Sequence, residues 1–304
     1  MVKILVSDKI HEDGINMLKE VGEVEVATGM RPEELIAKIK DFEVLVVRSA
    51  TKVTKEVIAA GKNLKIIARA GVGLDNIDVS AAKERGITVI SAPEAPTVAV
   101  AELTIGLMLS FARKIPRADA GMKSGKWEKK ELMGTELRGK TLGIIGTGRI
   151  GKAVAQRARA FEMNLLFYDL VLDEDFARTV GARYVTLEEL LKNSDFISIH
   201  VPLLPQTRHM IGEKEFQMMK SSAVIINTSR GEIIDEAALV NALKTGRIAG
   251  ACLDVFEKEP PEGSPLLACP NIVLTPHIGA STVEAQREAA MVIAKKIKEA
   301  VKGG

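Results

Sequence analysis

Short runs of β-branched and apolar residues alternate along the chain with segments whose apolar positions recur every three or four residues. Runs at 3–7, 24–27, 43–47, 65–68 and 87–90 have strand length, and helical periodicity falls between them at about 11–20, 32–40, 54–60 and 78–85. Five such βα units predict a doubly wound α/β region with a parallel sheet. Ser91-Ala-Pro-Glu-Ala-Pro96 breaks the alternation, because two prolines in four residues cannot continue it. A helix over 97–113 follows, apolar almost all round, which predicts burial between domains or subunits. Strand-like runs at 141–145 and 164–168 then flank a helical stretch at 149–159. Further runs lie at 195–199, 223–227, 248–252 and 271–274, and the pattern closes on a long amphipathic helix over 281–302. No internal repeat appears.

At 304 residues the chain is long enough for two domains with separate cores. An apolar share of 46% and a charged share of 27% fit a soluble globular protein, and the net charge of +2 is dispersed, which argues against nucleic acid as a partner. Cys252 and Cys269 have no metal-ligand spacing and make no disulfide framework, so no metal is expected and a reducing compartment is. The opening Met-Val-Lys-Ile-Leu-Val-Ser has no secretory h-region, and the stretch from Leu103 to Ala112 is too short to span a bilayer. A cytoplasmic location is the expectation, with no membrane partner.

Chemistry enters with the glycines. Gly146, Gly148 and Gly151 make a G-x-G-x-x-G spacing between the apolar run 141–145 and the helical stretch from Arg149. The spacing alone is weak in a chain with 25 glycines, but a strand before it and a helix after it are what a dinucleotide site needs. The first glycine permits the turn, the second lets backbone approach a pyrophosphate, and the third lets helix pack on strand. The helix N-terminus then faces the diphosphate. Asp169 ends the next apolar run, eighteen residues past Gly151, where a carboxylate meets the adenosine ribose hydroxyls. Leu170, Val171 and Leu172 offer no cation for a 2′-phosphate, which favours NAD over NADP.

A nicotinamide enzyme also needs an acid–base group beside the reacting carbon and a cation for an anionic substrate. Of the four histidines, His11 falls early in a helical pattern and reads as solvated, His209 lies in a polar loop, and His200 ends a strand where a structural role fits at least as well. His277 follows the last apolar run, at the edge where open α/β sheets bind ligands. A hydrogen-bonded loop histidine fits that position as well as a catalytic one. Arg230 and Glu259 follow two neighbouring strands, so all three fall on one sheet edge beside the dinucleotide motif.

With these residues assembled, the chain resembles the D-isomer-specific 2-hydroxyacid dehydrogenases over essentially its whole length, and within them the branch acting on D-3-phosphoglycerate. The resemblance is carried by Val47-Arg-Ser-Ala-Thr-Lys-Val-Thr54, Ala68-Arg-Ala-Gly-Val-Gly-Leu-Asp-Asn76, Gly125-Lys-Trp-Glu-Lys-Lys130, Met133-Gly-Thr-Glu-Leu137, Pro202-Leu-Leu-Pro-Gln-Thr207 and the segments around Arg230, Glu259 and His277. It implies a Rossmann cofactor domain at 97–280 inserted into a flavodoxin-like substrate domain made of 1–96 plus 281–304. It implies a catalytic triad in which Arg230 holds the substrate carboxylate, His277 exchanges the hydroxyl proton and Glu259 orients His277. NAD contacts are implied for Gly146, Gly148, Arg149, Ile150, Gly151, Asp169, Val201, Thr228, Ser229, Asp254, Gly279 and Ala280.

For substrate, the resemblance implies a backbone nest at Gly71, Val72 and Gly73 with Arg69 beside it, Arg48 and Ser49 on the phosphate, and Lys129 from a neighbouring subunit. A solvated charge cluster explains Lys123, Lys126, Lys129 and Lys130 equally well. A homodimer is implied through the helix from Thr97 and the arm around Trp127. The chain stops after one helix, so inhibition by serine through an appended regulatory domain is not expected. The implied activity is NAD-dependent oxidation of D-3-phosphoglycerate to 3-phosphohydroxypyruvate, the entry to serine synthesis. Two alternatives remain: a glyoxylate or hydroxypyruvate reductase (or another D-2-hydroxyacid dehydrogenase) on the same site, and an NAD-sensing binding protein like the corepressor relatives.

Overall fold

The central strands of this chain read as unbroken apolar runs because helices cover both faces of each sheet, the signature of parallel α/β architecture. The computed structural model describes residues 1–302. Two compact units form, one from Met1–Ala99 together with the segment from Ala280 onward, the other Val100–Gly279.

The first unit has strands β1 (Val2–Val6), β2 (Gly22–Val26), β3 (Val44–Val47), β4 (Ile66–Arg69) and β5 (Thr88–Ser91), all parallel, in the order β2-β1-β3-β4-β5. This is the flavodoxin-like order. Between them run helices α1 (Glu12–Lys19), α2 (Pro32–Lys38), α3 (Lys55–Ala60) and α4 (Val79–Glu84). Every residue of β3 is buried, whereas the edge strand β2 buries only its first residue. Helix α2 starts with Pro32 in its first turn and with Glu34 accepting from the Arg31 N–H at 2.8 Å, and the side chains of His11 and Asp78 cap α1 and α4.

Helix α5 (Thr97–Ala112) crosses into the second unit, followed by α6 (Ile115–Lys123). The second unit's strands are β6 (Thr141–Ile145), β7 (Asn164–Tyr168), β8 (Ala182–Tyr184), β9 (Phe196–Ile199), β10 (Val224–Asn227), β11 (Gly250–Leu253) and β12 (Ile272–Leu274). They form one parallel sheet in the order β12-β11-β10-β9-β6-β7-β8, the Rossmann arrangement extended by a strand, with its switch point between β6 and β9. Helices α7 (Arg149–Ala160), α8 (Glu174–Val180), α9 (Leu187–Asn193), α10 (Glu213–Met218) and α11 (Glu236–Lys244) cover it. One face packs Ile145, Ile197, Ile199, Ile225 and Leu253 under Leu190, Phe216 and Leu239; the other packs Leu142, Ile144, Val224 and Ile226 under Met108, Val154 and Ala158. Val100 and Gly279, where the chain enters and leaves this unit, are neighbours: a Cβ added at Gly279 would sit 3.2 Å from Val100 Cγ2.

Helix α5 packs much of its apolar surface inside the second unit. It buries Ala101, Ile105, Leu107, Met108 and Ala112 in the core of the seven-stranded sheet, and leaves Val98, Glu102 and Gly106 exposed along one line at i, i+4 spacing. Its lack of a polar face reflects contact with that sheet plus a narrow exposed stripe. The last helix, α12 (Val283–Lys302), returns to the first unit and buries Ala289, Ala290, Ile293, Ala294 and Ile297 against Ile4, Val6, Val44 and Val46. Among the described residues no helix is long and apolar enough to cross a membrane.

Candidate active site

The dinucleotide motif forms the β6–α7 turn. Gly146 holds φ +94°, a region that L side chains rarely adopt, and a Cβ there would come within 2.7 Å of the His200 backbone. A Cβ at Gly151 would collide with the Gly146 carbonyl oxygen, so α7 lies against the turn only because that position is glycine. Nothing lies within 4 Å of a Cβ at Gly148, which starts α7 and leaves open space at the helix N-terminus. Arg149 and Ile150 occupy the first turn of that helix, and Val201, just past β9, packs at Gly146.

Asp169 stands at the end of β7, with its Oδ2 accepting from the Thr147 N–H at 2.6 Å and hydroxyl at 3.0 Å. Its Oδ1 accepts from the N–H groups of Leu170 at 2.7 Å and Val171 at 3.2 Å. Burial works to raise this carboxyl, but those donors outweigh it and hold its pKa below the ordinary value, so the group is ionised. An open space beside the turn and a fixed carboxylate beyond it fit the pyrophosphate and adenosine ribose of NAD. The adjoining cavity, about 670 Å³, is lined by Thr147, Gly148, Lys152, Asp169, Val171, Leu172 and the acidic run Asp173, Glu174 and Asp175.

Three loops at the carboxyl ends of β10, β11 and β12 carry the remaining candidates. Asn227, buried at the end of β10, accepts from the Ser229 N–H and hydroxyl and donates its amide to the Arg230 carbonyl at 2.8 Å, which frames the Thr228-Ser229-Arg230 turn. The Thr228 hydroxyl meets that of Thr104 on α5 at 3.0 Å. Gly231 follows, where a Cβ would collide with the Phe256 carbonyl, so the Arg230 loop lies directly against the loop that carries Glu259.

His277 sits at φ +51°, a left-handed conformation that costs a non-glycine residue about 1–3 kcal/mol. Asp254, buried after β11, holds it there. Its Oδ1 accepts from the Thr275 hydroxyl at 2.6 Å and the Ile278 N–H at 2.8 Å, and its Oδ2 accepts from the Gly279 N–H at 2.8 Å. The loop is therefore pinned on both sides of the histidine. Glu259 Oε1 accepts from the Phe256 N–H at 3.2 Å, and Oε2 lies 2.7 Å from His277 Nδ1.

That hydrogen bond raises the His277 pKa above its ordinary value, against the opposing effect of burial, with the charges of Glu259 and Asp254 adding and that of Arg230 subtracting. Burial pushes Glu259 up, yet its bond to His277, the imidazolium charge, the Phe256 N–H and Arg230 together bring it below its ordinary value. An ionised carboxylate can only accept, so Nδ1 of His277 is the donor and Nε2 is left to exchange a proton. The charge of Arg230 acts on both partners, so the three residues form one electrostatic unit.

The other histidines serve elsewhere. His11 is partly exposed and is also an N-cap acceptor for the Asp13 N–H. His200 bonds to the Ser198 hydroxyl, and burial pushes its pKa down to about 3, which keeps it neutral. His209 lies 3.0 Å from Glu257.

In the first unit, Arg48 and Ser49 follow β3, and Arg69, Gly71, Val72 and Gly73 follow β4. The 48–51 loop is held by Asp8, which accepts from the N–H groups of Arg48 and Thr51, and by Asn76, which donates to the carbonyls of both. Lys129 belongs to the second unit, exposed in the loop after α6. Ala280 opens the returning segment of the first unit. Sequence reasoning missed Asp8, Asn76, Asn227, Gly231 and Lys152, and gave Asp254 no part in holding His277. Lys152 stands one residue past the motif's last glycine, but only the packing of α7 on α8 reveals what it faces.

Residues 105–279 match the family described as D-isomer specific 2-hydroxyacid dehydrogenase, NAD binding domain. The chain is 56% identical over 304 residues to the D-3-phosphoglycerate dehydrogenase of Methanocaldococcus jannaschii, covering 100% of this chain and 58% of that protein. It is 50% identical over 299 residues to the hydroxypyruvate reductase of Thermotoga maritima, covering 97% of each. The solved D-lactate dehydrogenase from Aquifex aeolicus, complexed with NAD and lactic acid, superposes with a TM-score of 0.86 at 33% identity, covering 99% of this chain and 96% of that one. The chain thus spans a little over half the length of the phosphoglycerate dehydrogenases it matches and almost the whole length of the reductase.

Proposed function

The chain belongs to the D-isomer specific 2-hydroxyacid dehydrogenase family, and from that premise we propose that it oxidises D-3-phosphoglycerate to 3-phosphohydroxypyruvate, with NAD, as the entry to serine synthesis. The observation that carries the dehydrogenase chemistry is the 2.7 Å bond between His277 Nδ1 and Glu259 within the field of Arg230. NAD, when bound, supplies the hydride acceptor for the substrate C2–H. His277 Nε2 takes the C2 hydroxyl proton as the carbonyl forms, and Glu259 stabilises the resulting imidazolium. Arg230 pairs with the substrate carboxylate through its forked guanidinium and polarises the forming carbonyl.

In this reading the N–H groups around Gly71, Val72 and Gly73 take the carboxylate with Arg69 beside them. Arg48 and Ser49 take the phosphate, on a loop whose backbone Asp8 and Asn76 hold in place. The shared name of relatives at 56% and 52% identity supports the phosphorylated substrate. The 50% identity to the hydroxypyruvate reductase of T. maritima favours a second reading, reduction of hydroxypyruvate or glyoxylate on the same residues. Initial rates with 3-phosphoglycerate, D-glycerate, D-lactate and glyoxylate, each with NAD(H) and NADP(H), separate the two. Arg48→Ala should lower kcat/KM for 3-phosphoglycerate by at least tenfold and leave glyoxylate within about twofold; equal losses would remove Arg48 from the phosphate.

The same reading includes a homodimer. Ile115, Met122, Trp127 and Met133 stand exposed on and after α6, Trp127 at 77% and Met133 at 81%, and Met122 and Trp127 line one cavity with Lys129, apolar surface suited to a second copy of the chain that would bring Lys129 across. Sedimentation of Trp127→Glu should show a shift toward monomer.

A further inference from the structure

The cavity beside Asp169 contains a cation that the segment after β7 does not supply. Lys152, on the first turns of α7, is the only positively charged residue among its described lining residues, against Asp169, Asp173, Glu174 and Asp175. Its ammonium is bound to the Asp173 carboxylate and also lies 5.2 Å from the centroid of the Phe176 ring, so it is held down onto the start of α8 by a charge and an aromatic face.

Asp173 is itself fixed. Its carboxylate caps α8 by accepting from the Phe176 N–H at 3.0 Å, and its own N–H donates to the Tyr184 hydroxyl at 3.0 Å. That hydroxyl also meets the Thr147 hydroxyl at 2.9 Å, and the Thr147 hydroxyl donates to Asp169. One hydrogen-bonded chain therefore runs from the ribose carboxylate to the residue that neutralises the cavity's cation.

Resting on the assignment of this cavity to the adenosine end of NAD, we propose that the Asp173–Lys152 pair is a determinant of coenzyme choice. Asp173 occupies a lysine that would otherwise bind a 2′-phosphate, and so makes the cavity uniformly repulsive to NADP. A phosphate entering beside Asp169 meets carboxylates and an ammonium already neutralised. Without the Asp173 charge, the same ammonium becomes a phosphate ligand on a flexible stem.

Asp173→Asn tests this cleanly, because asparagine caps a helix N-terminus about as well as aspartate and keeps the bond to Phe176. Fluorescence titrations with NADH and NADPH give the ratio of the two dissociation constants without any need for a substrate. The ratio should move toward NADPH by at least tenfold in Asp173→Asn, and return toward the original value in Asp173→Asn/Lys152→Ala. A ratio within twofold of the starting protein, or one that Lys152→Ala does not reverse, overturns the proposal. Lack of turnover on every hydroxy acid would sink the dehydrogenase reading but leave this measurement intact. Failure to bind either reduced coenzyme would remove the cavity assignment and the proposal with it.

Discussion

At the scale of single residues, the site depends on how charge is shared among Asp254, Glu259, His277 and Arg230. The Glu259 bond raises the pKa of His277, and oxidation of a hydroxy acid needs the imidazole neutral, so oxidation should rise with pH through a midpoint above the ordinary histidine value of about 6.5. Reduction needs the imidazolium and should fall through the same range. Glu259→Gln removes the stabilising charge, so both midpoints should move to lower pH and reduction at neutral pH should suffer more than oxidation. Midpoints that stay in place would separate Glu259 from the titration. His277→Ala should lower turnover by about 10²–10⁴-fold while NADH fluorescence still reports binding. Asp254→Asn turns an amide N–H toward backbone donors that now bond to a carboxylate, freeing the left-handed loop. Single-turnover rates should fall by roughly tenfold or more, since small misplacements of an acid–base group are costly; unchanged rates would show that the loop holds His277 without it.

At the scale of elements, the proposed chemistry stands where loops leave adjacent strands, and one glycine sets how closely two of them approach. Gly231→Ala should push the Arg230 loop off Phe256 and Glu257, lowering kcat/KM and the melting temperature together, whereas Gly148→Ala meets no neighbour and should cost little stability. Elements buried on two faces were the ones legible in the sequence. β3, β9 and β10 are covered throughout, so their apolar runs stand out, and α7 and α12 are long enough for a 3.6-residue period to show. The edge strand β8 and the helices α8, α9 and α10 were not read, although the six-residue helices α3 and α4 were. The strand-end argument assigned Arg230, Glu259 and His277 to one sheet edge because a parallel sheet exposes the same edge of every strand. It missed Lys152 and Asp173 because their pairing depends on how two helices pack, which local sequence does not encode.

At the scale of the whole molecule, the second unit is one continuous segment and the first is not. Val100–Gly279 made alone should therefore fold and bind NADH, while residues 1–99 alone should stay largely unfolded, since five of the seventeen buried residues of one core face are Ala289, Ala290, Ile293, Ala294 and Ile297 of α12. Circular dichroism and NADH fluorescence on the two fragments check both outcomes. The adjacency of Val100 and Gly279 then acquires a meaning for the order of events during synthesis. Bonds such as Arg287 to Asp13 and Lys298 to Glu20 join residues 274 and 278 positions apart. Closing a flexible loop of that size costs roughly 5 kcal/mol of chain entropy. A second unit that has already folded brings its two exits together and shortens the effective loop to the two flanking arms, so α12 leaves the ribosome on a short tether to the N-terminal segment whose sheet it completes.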